Sequence, residues 1–236
     1  MTPSKTAIVT GASSGVGRAT AHALAAAGYD VACLARRADA LQSTVAKDPA
    51  RLHAYPCDIT DRTAVDATVN SILTRFARVD VLINAAGTNL PDRTLASMTD
   101  EKFKAVFDVN LSGALYAIQA VLPAMRSQQG GTIVNINSIA GQNASLLSGA
   151  AYVMSKFALA GLTQTVNLEE GKHHVRATSI FPGDIHTELL EKRPVIPDAA
   201  ARARMMQPED IAACVMLAVN LPPRAVVEEL RIVPRG

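Results

Sequence analysis

The sequence contains no tryptophan and few aromatic residues of any kind, 4% of 236. That leaves little on which nucleic-acid bases could stack. Nor does one sign of charge dominate. Lysine and arginine number 23 against 21 acids, a net +2, with the two signs interspersed. No basic stripe for nucleic acid or for an anionic membrane surface is visible. Cysteines are three, Cys33, Cys57 and Cys214, without Cys-x-x-Cys or zinc spacing. Each lies in an apolar run and reads as a small core residue. No apolar run approaches the ~20 residues of a membrane span. The opening MTPSKTAIVTG has no charged segment followed by a long apolar one. The expectation is a soluble cytoplasmic protein with no metal, no nucleic-acid partner and no membrane partner.

What the chain does have is alternation. Seven short apolar runs, at 6–10, 30–35, 52–57, 79–84, 131–137, 176–181 and 228–233, are nearly continuous in hydrophobicity. Strands buried on both faces read this way. Helix-period segments lie between them, several with Asp or Thr starts and Gly stops. The pattern predicts an α/β fold: a doubly wound, Rossmann-type parallel sheet of seven strands with helices on both faces, forming one domain over 1–236. One stretch, 184–207, is rich in charge and proline and has no strand signal. A connection of that length is expected to border a substrate.

Directly after the first strand comes TGASSGVGRATAHAL, with Gly11, Gly15 and Gly17 before a helix. Glycines allow a tight turn and close approach of backbone to a phosphate, and the helix N-terminus favours an anion. A phosphate-binding P-loop needs Gly-Lys-Ser/Thr here, whereas Arg18 and Ala19 follow Gly17. Far along the chain, Tyr152 and Lys156 are spaced to share one helix face. A surface pair is the ordinary reading; a proton-donating phenol whose pKa the ammonium lowers is the chemical one.

Taken together, these segments resemble the short-chain dehydrogenase/reductase family in its single-domain form. The turn Thr10-Gly11-x-x-x-Gly15-x-Gly17 is similar to that family's cofactor loop, so the resemblance implies that Gly11, Ser13, Ser14, Gly15, Val16 and Gly17 bind cofactor. CDIT resembles the segment where Asp58, followed by Ile59, meets adenine. NAAG, Asn84, Ala85, Ala86 and Gly87, is similar to the family signature after the fourth strand. FPGDIHT resembles the nicotinamide segment, implying contacts from Pro182, Gly183, Ile185 and Thr187. Asn110, Ser138, Tyr152 and Lys156 match the family's active-site set in order. The resemblance covers the whole chain and also implies a homodimer, often doubled to a homotetramer. Two departures bear on substrate. The interval from Ser138 to Tyr152 is one residue longer than usual. The ending VVEELRIVPRG differs from that of fatty-acid-type ketoacyl reductases and is closer to the branch acting on hydroxy amino acids and small hydroxy acids.

Each role follows a chemical need. Reducing a carbonyl by hydride requires a proton on its oxygen as charge develops there. Tyr152 would supply it, with its pKa lowered by Lys156 and by an oxidised nicotinamide ring. Ser138 would orient the substrate oxygen. As the resemblance implies, Lys156 would bond the nicotinamide ribose and Asn110 would hold a water linking Lys156 to solvent. Ordinary alternatives stand beside these: a helix cap for Ser138, a helix-bend residue for Asn110, a strand-end cap for Asn84. His173 and His174 read as solvated, and His186 as a loop residue with a weak claim on the substrate. Leu146, Leu147, Leu189 and Leu190, with Glu188, Lys192 and Arg193, are expected around the substrate, without a fixed charge constellation. The second strand ends in Ala35, followed by Arg36 and Arg37, where an acid would select NAD; this predicts NADP(H). The reading is an NADP(H)-dependent oxidoreductase acting on a small-molecule alcohol or carbonyl. Its alternatives are a redox sensor or scaffold on the same fold and a 3-ketoacyl-thioester reductase. A sugar-nucleotide epimerase would need a larger C-terminal region.

Overall fold

The computed structural model of the chain describes residues 4–235. Seven parallel strands form one sheet: β1 Thr6–Thr10, β2 Asp30–Ala35, β3 Leu52–Pro56, β4 Val81–Asn84, β5 Gly131–Ile136, β6 Val175–Pro182 and β7 Glu229–Ile232. Their spatial order is β3-β2-β1-β4-β5-β6-β7. The order reverses between β1 and β4, so the C-terminal ends of those two strands flank the crevice where doubly wound sheets bind ligands.

Side-chain alternation explains the continuous apolar runs. Ala7 and Val9 of β1 face one core, with Leu24 of α1 (Gly15–Ala26), Leu41 of α2 (Ala38–Val45) and Val215 of α8 (Pro208–Asn220). Ile8 faces the other core, with Val69 of α3 (Arg62–Phe76), Ile118 of α5 (Gly113–Ser127) and Val166 of α6 (Ala150–Glu170). A strand sandwiched between two helical layers has no polar face to display. Cys33 and Cys57 are buried, and desolvation pushes the Cys33 thiol up to about 12.

The structure departs from the sequence expectation in two places. The helix-period segment between the fourth and fifth strands is interrupted. After α4 (Asp100–Phe107) a π turn spans Asp108–Ser112 before α5 begins. A π turn is an uncommon distortion, and such turns frequently sit at functional sites. Asn110 lies within it. The whole helical run Asp100–Ser127 is also long and apolar enough to cross a membrane by length and composition, which the sequence reading did not anticipate. Its Ile118, Val121 and Met125 are buried with Leu82 and Ile133 of the sheet, the placement of a core helix.

The connection 184–207 is likewise more ordered than its composition suggested. Ile185 pairs with Met206, a one-turn 3₁₀ segment covers Glu188–Lys192, and the short helix α7 spans Ala199–Ala203. Leu190 and Met206 are buried. Arg202 holds Glu191 at 2.7 Å and the Pro197 carbonyl at 3.0 Å, folding the strap back on itself.

Candidate active site

The glycine turn is closed against its surroundings in a way that only glycine permits. Gly11 has φ +68°, and a Cβ there would lie 2.8 Å from the backbone of Ala86. A Cβ on Gly17 would strike the Gly11 carbonyl. The first turn of α1 follows at once. Ser14 occupies its N-cap position without making a side-chain cap bond, and no acid lies in that first turn. Its amides are therefore available to an anion. Thr10 supports the opposite wall, its Oγ1 accepting from the Ala85 and Ala86 amides at 3.2 and 3.3 Å.

A cavity of about 420 Å³ opens over this turn. Gly11, Ser13, Ser14, Gly15, Val16 and Gly17 line it, joined by Arg36, Arg37, Asp58, Ile59, Ala85, Ala86, Gly87, Tyr152, Lys156, Ile185 and Thr187. Three residues expected to bind cofactor lie elsewhere. Asn84 is buried beneath the cavity, donating to Asn135 at 2.9 Å, while its own Oδ1 has no partner. It ties β4 to β5, the ordinary reading. Pro182 and Gly183 line a second cavity of about 710 Å³ instead. On the wall of the first cavity, burial works against the charge of Asp58. The Thr60 amide and hydroxyl, at 3.0 and 2.8 Å, and the Arg36 guanidinium outweigh it and hold the carboxyl below its usual range.

Ser138 lines the second cavity, and the two cavities meet at Tyr152, which lines both. Asn137, also common to both, sets the serine in place. Its Oδ1 accepts the Ser138 amide at 3.0 Å and its Nδ2 reaches Ser179 at 3.0 Å. Nothing in the sequence pattern singled out Asn137. Ser138 also caps the following 3₁₀ turn, accepting from the Ala140 amide at 3.1 Å, so its ordinary and chemical readings both hold geometrically.

Lys156 lies on the same face of α6 as Tyr152, its Nζ 5.7 Å from the ring centroid. The expected electrostatics of the pair require correction. The phenol pKa is raised, not lowered, because burial dominates; the Ser138 hydroxyl opposes it, followed by Arg93 and Arg193. Lys156 does not bring the phenol down. Lys156 is 3% exposed; its ammonium donates to the Ile136 carbonyl at 2.8 Å and is itself pushed down to about 8 by burial.

Asn110 has both ends of its amide engaged. Oδ1 accepts the Thr88 amide at 2.7 Å, and Nδ2 reaches the Thr88 carbonyl at 3.0 Å and Ser155 at 3.1 Å. The side chain clasps the loop after β4 to α6. His186 is exposed and lines neither cavity, and Leu146 is fully exposed, away from both. Leu147, Leu190 and Arg193 line the second cavity, Glu188 and Lys192 the first, and Leu189 both.

The short chain dehydrogenase family model matches residues 5–195. An uncharacterized oxidoreductase of Staphylococcus haemolyticus is 34% identical over 98% of this chain and 97% of its own length. A farnesol dehydrogenase of Aedes aegypti is 33% identical over 98% and 96%. A metagenomic short-chain oxidoreductase solved in complex with NADP superposes with a TM-score of 0.85 at 30% identity, covering 98% of each chain. Match, relatives and sheet order agree, and the chain belongs to the short-chain dehydrogenase/reductase family of oxidoreductases.

Proposed function

We propose that the protein is an NADP(H)-dependent oxidoreductase interconverting a small alcohol or hydroxy acid and its ketone or aldehyde, with Tyr152 as acid and base. The observation that carries this reading is the position of Tyr152, at the junction of a glycine-floored cavity and a second cavity that also bears Ser138. Bound in the first cavity, a nicotinamide supplies or accepts the hydride.

The chain's residues then have distinct tasks. Ser138 hydrogen-bonds the carbonyl oxygen and orients it. Tyr152 donates its proton to that oxygen as charge develops; a raised pKa keeps the phenol protonated and ready in the reducing direction. Lys156, with a pKa near 8, can pass a proton back to the phenol close to neutral pH. Asn110 donates to Ser155, whose hydroxyl in turn donates to the Tyr152 carbonyl, tying the π turn to the helix that carries the pair. Thr187 precedes its 3₁₀ turn without making a side-chain cap bond, which leaves its hydroxyl for the carboxamide. Asp58 and Arg36 serve the adenosine half. A redox sensor on this fold needs no second cavity beside Tyr152.

The test is a spectrophotometric screen of NADPH oxidation over aldehydes, ketones, keto acids and ketoacyl thioesters, with hydroxy acids and NADP⁺ in reverse. Turnover of at least one class is expected. Tight NADPH binding with no turnover in either direction would favour the sensor.

The protein is expected to self-associate. Met154, Phe157 and Leu168 of α6 are exposed at helical spacing on one face, and Phe103 of α4 is exposed and stacks on Phe107. Gly161, between them on that face, would carry a Cβ into open space. Apolar side chains in this arrangement suit a second copy. Light scattering should give the mass of a dimer or tetramer at micromolar concentration; a monomer would remove the expectation.

A further inference from the structure

The second cavity carries more positive charge than carbonyl reduction requires. Arg93, Arg193 and Arg231 line it, and Asp184 is the single acid on its wall among the described residues. Asp184 is already paired with Arg193. Arg231 stands exposed on β7, and its guanidinium has no hydrogen bond or ion pair among the described residues. Two of the three cations are therefore uncompensated.

Arg93 is the informative one. It is 6% exposed, and Gly149, at φ +75°, lets the chain pass over it; a Cβ there would lie 2.5 Å from Arg93 Cγ. Its Nη1 donates to the Leu147 carbonyl at 3.0 Å, its Nη2 to the Lys192 carbonyl, and its Nε has no partner. Carbonyls satisfy the geometry of a guanidinium without neutralising its charge. No carboxylate answers it: burial works most strongly against its charge, and the Arg193 guanidinium adds to that. A buried cation without an anion is expensive to maintain unless an anion arrives. The wall already shows which anion it can hold, since Arg193 grips the carboxylate of Asp184. A volume of about 710 Å³ also leaves ample room for a small molecule.

We propose that the substrate is a carbonyl compound bearing a carboxylate, bound with its charge against Arg231 and in the field of Arg93, and with its carbonyl oxygen at Ser138 and Tyr152. This rests on the carbonyl–alcohol reading above and narrows it to oxo acids and hydroxy acids. Arg93 acts as a fixed positive charge because its outer nitrogens are committed to the two loops. Arg231, which has no partner to give up, makes the contact.

The experiment compares NADPH-dependent reduction of short 2-oxo and 3-oxo acids with that of their methyl esters, which keep the shape and lose the charge. In the best pair the acid should have at least about tenfold higher kcat/KM, the scale of one charge-assisted hydrogen bond. Arg231→Gln should reduce the acid-to-ester ratio at least about fivefold through the KM of the acid, and Arg231→Glu should reverse it. Arg231 is exposed, so neither variant removes a core contact. A binding readout needs no turnover: propionate, but not propionamide, should raise the Tm of the wild-type NADP⁺ complex, and Arg231→Glu should abolish the shift. Esters reduced as well as acids, or a ratio untouched by Arg231→Glu, would overturn the carboxylate assignment while leaving the oxidoreductase intact. If no carbonyl is reduced, the proposed function fails; the Tm comparison then decides the anion site by itself, a shift supporting it and no shift overturning it.

Discussion

Tyr152→Phe is expected to lower kcat for carbonyl reduction by about 10³-fold, the middle of the range for a positioned general acid and equivalent to ~4 kcal/mol of barrier. The substitution keeps the ring that packs beside Lys156 and removes only the hydroxyl at the junction of the two cavities. Cofactor affinity should change little, because the glycine turn and the residues around Asp58 are untouched by the substitution. Steady-state kcat on the best substrate and a separate NADPH titration distinguish these effects. A variant keeping a tenth or more of wild-type kcat would show that the proton comes from elsewhere.

The direction of the pKa shifts adds a second observable to the same test. Burial raises the Tyr152 phenol, so the neutral, donating form persists through neutral pH. Protonation of the phenol should therefore not limit reduction from neutral to mildly alkaline pH; a fall in rate above about 8 would instead report loss of the Lys156 proton. Alcohol oxidation needs the phenolate and should rise with pH over that span. Lys156 shifts the other way, to about 8. Its folded pKa lies below its unfolded value near 10.4, so the folded state binds this proton less tightly. Lys156 thus weakens folding at low pH, and that penalty is relieved as pH climbs from about 8 toward the unfolded value.

The strands were legible because their physics is local. A strand covered on both faces must be apolar at every position, and such runs cannot be mistaken for exposed segments; the predicted 30–35 matches β2 to the residue. Boundaries slipped where apolar character outlasts pairing: Val79 is fully buried, yet β4 starts at Val81. The π turn at Asp108–Ser112 was not legible. Asn110 within it reaches Thr88 and Ser155, 22 and 45 residues distant in sequence, contacts that no local pattern reports. Arg93 was missed for the same reason. It lies in PDRTLAS, which has no periodicity, and its partners are the carbonyls of residues 54 and 99 positions further on. The phenol–ammonium electrostatics were misjudged because helix spacing fixes proximity but not burial, and burial dominates both pKa values.

Wild type should prefer NADP(H) over NAD(H) by at least about tenfold in kcat/KM, roughly 1.4 kcal/mol, the low end for one charge-assisted phosphate contact. In dinucleotide folds an acid at the end of the second strand bonds both ribose hydroxyls and repels a 2′-phosphate. Here that position is Ala35, buried at the end of β2 and lining the first cavity, so no fixed negative charge would meet the phosphate. Arg36 follows with its side chain 68% exposed; its nearest acid is Asp58 at 3.9 Å, and a pair that long and exposed contributes little. Its guanidinium is free to turn onto a phosphate or stack on adenine. Arg37 is the second base, 3.4 Å from Ser13 Oγ and thereby anchored to the glycine turn. Ser14, just before the middle glycine of the turn, carries no charge, which keeps the expected preference modest. Ala35→Asp combined with Arg36→Ala reverses both terms, adding the ribose acceptor and removing the phosphate cation. The ratio of kcat/KM values should then favour NAD(H), a swing of at least about a hundredfold. Stability should be monitored alongside, because the new carboxylate enters a nearly buried position and has to face the cavity to stay hydrated. A wild-type enzyme preferring NADH, or a folded double variant that still prefers NADPH, would show that the Arg36 side chain does not read the 2′-phosphate.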